Sequence, residues 1–371
     1  MKKILLDSLF LMTKINIAWA WWWTWGHVFP IKSLIQYLQS HEEFKKDVNT
    51  MVWFWKNWSL EEENYEQLKK NITNLYFCPI FSWKRRREKS FSAICKNLWD
   101  LVLFSYGILQ SLFALKKYHI DVVFCKWGYV ALPVVFAAKV LWKKIVVHES
   151  DVHPWLVNRI ASKYAKKTFT GFDNVIEDAE TVGQILSDDL LPEVKENQQS
   201  KETKVLVMWG SQWSKNLYEA LAEALKNKEL ENMHFDIVLG KLNKETWKLF
   251  NSFSNVTCHD FLSQKEMWEY YLTSDIAITR AGTTSLAEQN LFDLKLIMIP
   301  IPWTHDQKDN AKWYVKNFDW ILIDQDDSKF VENLQNTLIS LKDYKKSLSS
   351  KDRKKEISIA KEKILNAIIY Y

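Results

Sequence analysis

The stretch Lys14–Pro30, KINIAWAWWWTWGHVFP, decides how the chain is read. It opens as a β-branched strand, KINIA, and closes as the start of a helix. Between them lies a turn holding Trp19, Trp21, Trp22, Trp23 and Trp25. A turn from a parallel strand into a helix that receives a phosphorylated ligand needs glycine. Glycine accepts positive φ, and without a Cβ it lets backbone N–H groups approach the phosphates. The helix N-terminus behind it adds unpaired donors and the positive end of its dipole. The layout here fits in everything except residue identity. The 371 residues include 20 Trp and only 8 Gly. The two together come close to the roughly 7% glycine share of an average chain.

The same layout recurs in KVLVM-WGSQW-SKNLYEAL, residues 204–221. Trp–Gly doublets stand at 25–26, 127–128 and 209–210, each where Gly–Gly suits a turn. Some bacteria read the codon UGA as glycine. The expectation is that most of the tryptophans are glycine in the living protein. The strongest positions are Trp19, Trp21, Trp22, Trp23, Trp25, Trp83, Trp127, Trp142, Trp155, Trp209, Trp213, Trp303 and Trp320. Trp53, Trp99 and Trp313 stand in apolar or helical contexts and read as genuine. A tryptophan-rich surface that stacks on sugars is the alternative. It leaves the missing glycines without a cause.

Outward from these turns, short apolar strands alternate with helical patterns. The strand-like runs are 14–18, 121–124, 144–149, 204–208, 235–240, 255–261, 275–279 and 294–302. They are nearly continuous apolar runs, as in strands covered on both faces. This predicts an α/β chain of two doubly wound, Rossmann-like domains. The first spans 12–186, a polar linker 187–203, the second 204–345, and a terminal helix 346–371. Asp7 breaks the apolar run of the N-terminus, which speaks against a signal peptide. MTKINIA from Met12 reads as a second candidate start beside Met1, followed at once by the first strand. Leu98–Leu115 is the one candidate for a membrane span. Its polar residues and helical apolar stripe make it a buried or half-buried helix instead.

With 47% hydrophobic and 26% charged residues the chain is a folded protein, not a disordered one. A net charge of +5 gives no ground for nucleic acid as a partner, and suits an anionic membrane or a phosphorylated ligand. Cys78, Cys95, Cys125 and Cys258 are scattered, with neither metal nor redox spacing. No metal and no cofactor is implied.

An ordered set of motifs carries a resemblance: the turn before His27, GYVALP (128–133), HESD…NR (148–159), GSQ (210–212), TRAGTTSLAEQ (279–289) and HDQKDNA (305–311). From Met12 to about Ile323 the chain resembles the MurG family of peptidoglycan glycosyltransferases. The resemblance implies the GT-B architecture, two Rossmann-like domains facing a cleft. It implies inverting transfer of N-acetylglucosamine from UDP-N-acetylglucosamine to the 4-hydroxyl of the muramyl group of lipid I, giving lipid II. The implied place is the cytoplasmic face of the cell membrane. The basic run WKRRREKSF (83–91) and the apolar helix after it suit an anionic surface.

Such a reaction needs a base for the hydroxyl proton and positive potential for the departing diphosphate. His27 is the expected base, with Glu149 its rival. The implied donor residues are Thr24, Trp25, Gly26, Asp151, Ser211, Gln212, Leu262, Gly282, Thr283, Thr284, Ser285, Leu286, Glu288, Gln307 and Asn310. Among them Glu288 would accept hydrogen bonds from the ribose diol and Gln307 would reach the sugar. The acceptor side would carry Trp127, Gly128, Tyr129 and Asn158. Two departures stand out. Asp151 occupies a position where the family has Asn, and Ser187 one where it has Arg. Three other readings share the architecture: a UDP-N-acetylglucosamine 2-epimerase, a glycolipid glycosyltransferase and an inactive sugar-nucleotide-binding relative.

Overall fold

The computed structural model describes residues 14–371 apart from 22–24, 56–65, 67, 83–89, 127, 188–190, 192–200, 211–213, 241 and 351. Two compact units emerge, Met1–Ser187 with Glu356–Tyr371, and Asp188–Lys355.

The first unit holds seven strands: β1 (Ile15–Trp21), β2 (Val48–Trp55), β3 (Leu75–Pro79), β4 (Val122–Lys126), β5 (Lys144–Glu149), β6 (Lys167–Thr170) and β7 (Glu180–Thr181). All pair in parallel, in the order β3-β2-β1-β4-β5-β6-β7. The helices are α1 (Trp25–Ser40), α2 (Glu42–Lys45), α3 (Phe91–Lys117), α4 (Ala131–Val140) and α5 (Leu156–Ser162). Strand alternation sorts the apolar side chains into two layers. Ile17, Trp19, Val122 and Phe124 face one layer, and Ala18, Ala20, Val123 and Cys125 the other. Both faces are covered, which is why these strands read as unbroken apolar runs.

The second unit holds β8 (Thr203–Met208), β9 (Met233–Val238), β10 (Val256–His259), β11 (Ile276–Thr279), β12 (Lys295–Met298) and β13 (Ile321–Leu322). These are parallel too, in the order β10-β9-β8-β11-β12-β13. Its helices are α6 (Lys215–Ala224), α7 (Gln264–Thr273), α8 (Thr283–Leu291), α9 (His305–Asn317) and α10 (Phe330–Ser340). Helix α6 buries Leu217, Tyr218, Leu221 and Ala224, one stripe at helical spacing. Helix α7 starts on a reciprocal cap between Ser263 and Glu266.

The terminal helix α11 (Arg353–Ile369) is not a separate segment. Its Ile364, Leu365, Ile368 and Ile369 join the core layer that holds Trp19 and Ile35. Tyr37 Oη donates to Glu362 at 2.8 Å, and Lys363 pairs with Glu180 at 2.9 Å. Most of the expected linker lies outside the described residues. Strands β2, β3, β6, β7 and β13 are additions to the sequence reading. The apolar half of β2 is five residues, a length that a buried helical turn shares. KTFT of β6 has no apolar run at all.

The tryptophans behave unevenly. The buried indole N–H groups of Trp19, Trp209 and Trp268 meet no hydrogen-bond acceptor among the described residues. Each such orphan costs about 1–3 kcal/mol. Trp142 sits at φ +54° with its side chain 94% exposed, in the left-handed region that favours glycine. Trp155, by contrast, donates its indole N–H to Asp151 at 2.8 Å. The ring of Trp209 lies in the core against Tyr218, at 4.9 Å between centroids, and not in the turn's open space.

Candidate active site

Each sheet has one topological switch point, the place where an open α/β sheet leaves a crevice outside its strand ends. In the first unit it lies between β1 and β4, and in the second between β8 and β11. The expected site residues among those described lie on loops and helices that follow strands of the two sheets.

In the first unit, β1 runs into α1, whose first turn holds Trp25, Gly26 and His27. Their backbone is helical, and their side chains lie outside the described residues, as do Thr24 and Trp127. Pro30 lies within α1 and has no N–H to give the carbonyl of Gly26. Across the switch point, β4 ends at Lys126. Gly128 follows at φ +109°, a backbone state that requires glycine. Its carbonyl accepts from Ala131 N–H at 3.0 Å as α4 begins, with Tyr129 half-buried beside it.

Glu149 ends β5 fully buried. Its Oε1 accepts from the N–H groups of Ser150 and Asp151 at 2.7 and 2.9 Å. Its Oε2 accepts from Trp155 N–H at 2.9 Å and Asn158 Nδ2 at 3.0 Å. Burial and the nearby Asp151 raise its pKa to about 7. A carboxylate so fully engaged shapes the loop 150–158, and no lone pair is left aimed outward. Asn158, expected on the acceptor side, is also fully buried and donates to His148 O at 3.1 Å. Asp151 is 5% exposed. Ser187, at the position of the absent arginine, is buried near the end of a segment that Ser33 of α1 holds by donating to Leu186 O at 2.7 Å.

Sequence reading passed over Lys126, His148, Ser150 and Gln184. The motifs CKWG and HESD contain three of them, yet nothing in the residue order shows that they meet. Gln184 Nε2 donates to Ser150 O at 2.7 Å. A Cβ on Gly171 would stand 2.1 Å from that same Nε2, so a larger residue there would push the Gln184 amide aside.

In the second unit, β8 leads to Trp209 and Gly210, the latter at φ +75° with open space where a Cβ would point. Ser211 and Gln212 lie outside the described residues. Ser214 Oγ donates to Gly210 O at 3.2 Å and closes the turn before α6. Beyond the switch point, β11 feeds α8 through Arg280, Ala281 and Gly282. Gly282 has ordinary φ of −78°, so no bend demands it, but a Cβ there would meet nothing within 4 Å. Its bare backbone leaves open the approach to the α8 N-terminus, which Thr283, Thr284, Ser285 and Leu286 form. Such an end attracts anions. Arg280 Nη1 donates to Ile299 O at 2.8 Å and Gln325 Oε1 at 2.6 Å.

Glu288 lies on the second turn of α8, half-buried, and accepts no hydrogen bond from the described residues. Burial pushes its carboxyl up to about 8. Leu262 is half-buried in the loop after β10. Gln307 and Asn310 lie on α9, beyond β12. Gln307 Oε1 accepts from Ile301 N–H at 3.1 Å, and Asn310 is buried. Among the described residues no three His, Cys, Asp or Glu side chains are grouped to hold a metal ion.

Two doubly wound parallel units, each with a glycine turn at its switch point, are the GT-B architecture of nucleotide-sugar glycosyltransferases. Residues 23–170 match the glycosyltransferase family 28 N-terminal domain, and residues 204–367 its C-terminal domain. The UDP-N-acetylglucosamine--N-acetylmuramyl-(pentapeptide) pyrophosphoryl-undecaprenol N-acetylglucosamine transferase of Borreliella burgdorferi is 30% identical over 351 residues, 90% of each chain. The crystal structure of Acinetobacter baumannii MurG superposes with TM-score 0.68 at 19% identity, covering 95% of both chains. The chain belongs to the MurG family of glycosyltransferases. Fold alone does not separate it from isomerases. A UDP-GlcNAc 2-epimerase from Neisseria meningitidis bound to UDP-GlcNAc superposes with TM-score 0.62 at 14% identity, over 97% of this chain and 100% of that one.

Proposed function

We propose that the protein transfers N-acetylglucosamine from UDP-N-acetylglucosamine to the muramyl 4-hydroxyl of lipid I, with inversion, forming lipid II for peptidoglycan. The acceptor oxygen attacks the anomeric carbon as the bond to the β-phosphate oxygen breaks. The hydroxyl proton passes to His27, and UDP departs with the electron pair. Glu149 organises its loop rather than taking the proton.

The donor would sit at the β8/β11 edge, with phosphates against the turn at Gly210 and the α8 N-terminus. The observation that carries this placement is Glu288, a half-buried carboxylate on the helix behind Gly282 with no hydrogen-bond donor of the described residues. A vicinal diol supplies the two donors it lacks. Leu262, Gln307 and Asn310 would frame the base and the sugar.

The acceptor is a lipid, and one helix presents a surface for it. Trp99, Val102, Tyr106, Leu109 and Phe113 of α3 are 64, 59, 52, 62 and 70% exposed. Their spacing alternates between three and four residues, so they form one apolar stripe. No helix among the described residues is long and apolar enough to cross a membrane. Peripheral docking on the cytoplasmic face, aided by the basic run 83–91, gives the stripe a role. Residues 83–89 of that run lie outside the described residues.

The test is direct. The purified protein is given UDP-N-acetylglucosamine with and without lipid I. Lipid II and UDP are expected with acceptor only. N-acetylmannosamine from donor alone would point to the epimerase, turnover on diacylglycerol to a glycolipid enzyme, and binding without turnover to an inactive relative.

A further inference from the structure

Lys126 is the last residue of β4 and 1% exposed, although it carries a charge. A buried ammonium is costly unless it is paired and hydrogen-bonded. Here it donates to Ser150 Oγ, in the loop after β5, and to His148 Nδ1 at 3.4 Å. The other ring nitrogen of His148 lies 3.0 Å from Gly183 O, an acceptor only, so Nε2 carries the proton and Nδ1 presents its lone pair to the lysine. Burial and the adjacent ammonium hold His148 well below its usual pKa, in keeping with this neutral tautomer. Burial lowers Lys126 itself to about 8, while Glu149 and Asp151 hold it up.

Three segments at the sheet's C-terminal edge are linked through this ammonium, the third by way of His148. Its own strand runs on into Gly128 and Tyr129. Ser150 opens the loop that leads to Asn158, expected on the acceptor side. Gly183, at φ +82°, opens the segment that ends at Ser187 and is held to α1 through Ser33 and to Ser150 through Gln184.

We propose that Lys126 is a positioning residue, tying the loops after β4, β5 and β7 into one rigid rim for the acceptor. This rests on the proposed placement of the acceptor on the first unit. Lys126 touches no substrate and acts through Ser150 and His148.

The test measures KM separately for donor and acceptor in Lys126→Met, Lys126→Arg and Ser150→Ala. A misplaced rim weakens acceptor alignment steeply. Lys126→Met should therefore raise the acceptor KM about 10-fold or more and leave the donor KM within about 2-fold. Lys126→Arg keeps a charged donor and should stay within about 3-fold of wild type, and Ser150→Ala should fall between them. If Lys126→Met does not fold, Ser150→Ala carries the same test with one hydroxyl removed. Unchanged acceptor KM in Ser150→Ala and in whichever lysine variants fold overturns the proposal. So does an equal change in both KM values. Should the wild type ignore lipid I, the proposed function fails separately. The tether is then read by NMR of the His148 ring nitrogens, where Lys126→Met should shift Nδ1 and raise the imidazole pKa. Unmoved ring signals would rule the tether out.

Discussion

Asn158 Nδ2 donates to Glu149 Oε2 at 3.0 Å and completes four hydrogen bonds to one buried carboxylate. This geometry separates two roles for Glu149. A base needs a free lone pair facing the substrate, whereas a loop organiser needs every lone pair filled from within. Glu149→Gln swaps one acceptor oxygen for an NH2 that faces existing donors. The expected loss is about 2–3 kcal/mol of stability, the cost of buried donors left unmatched. Urea unfolding measures it. The pH dependence of kcat/KM should keep its shape. A variant that folds as firmly as wild type but loses the acid-side limb of that profile would restore Glu149 as the proton acceptor.

Glu288 makes a prediction with a definite sign. Burial raises its carboxyl to about 8, so the folded chain holds that proton more tightly than the unfolded chain does. Its contribution to stability therefore falls as pH rises from the usual carboxylate range through about 8. The ribose diol needs the ionised form, so donor affinity should rise over the same interval. Glu288→Gln should flatten both trends. It should raise the melting temperature of the ligand-free protein at pH 9 and weaken UDP binding about 10-fold or more. Calorimetry across pH reads both. UDP affinity unchanged by the substitution would remove Glu288 from the donor site.

The stripe on α3 invites charge. Leu109 and Phe113 are 62 and 70% exposed, so Leu109→Glu with Phe113→Glu should cost little folding stability. Burying each side chain in a lipid surface is worth about 1.5–3 kcal/mol. The double substitution should lower binding to anionic phosphatidylglycerol vesicles by at least about 100-fold in a sedimentation assay. Activity on a short-chain, water-soluble acceptor should stay near wild type. Vesicle binding that survives would assign the stripe to something other than lipid.

Much of this was legible in residue order because the forces involved are local. Buried parallel strands write themselves as apolar runs, as VVFCK of β4 does, and a glycine turn before a helix marks each switch point. Gly128 and Gly210 take the positive φ their positions implied. What stayed hidden depends on loop shape and on distance in sequence. The four donors to Glu149 come from 150, 151, 155 and 158, and meet it only because that loop folds back on the carboxylate. Lys126 reaches Ser150 across 24 positions, which needs the sheet that brings β4 beside β5. The same sheet gives α11 its place, since a tail of mixed charge shows its apolar face only once Trp19 and Ile35 are there to receive it.

The tryptophans give the last prediction. Trp142 occupies left-handed backbone with its ring in solvent, so glycine there should relieve strain at no packing cost. Trp142→Gly is expected to stabilise the fold by about 1 kcal/mol. Trp19 and Trp209 differ, because their rings fill core space while their N–H groups go unanswered. If glycine is native there, the surrounding layers close in around it, and the turn after β8 becomes Gly–Gly at 209–210. Peptide sequencing of protein from its own cells should then find glycine at 142 and 209, each lighter by an indolylmethyl group, over UGA codons in the gene. Trp268 shares an indole N–H with no acceptor among the described residues and belongs in the same measurement. UGG codons at 142 and 209 would end the glycine reading and leave the chain with buried indole donors that its fold must tolerate.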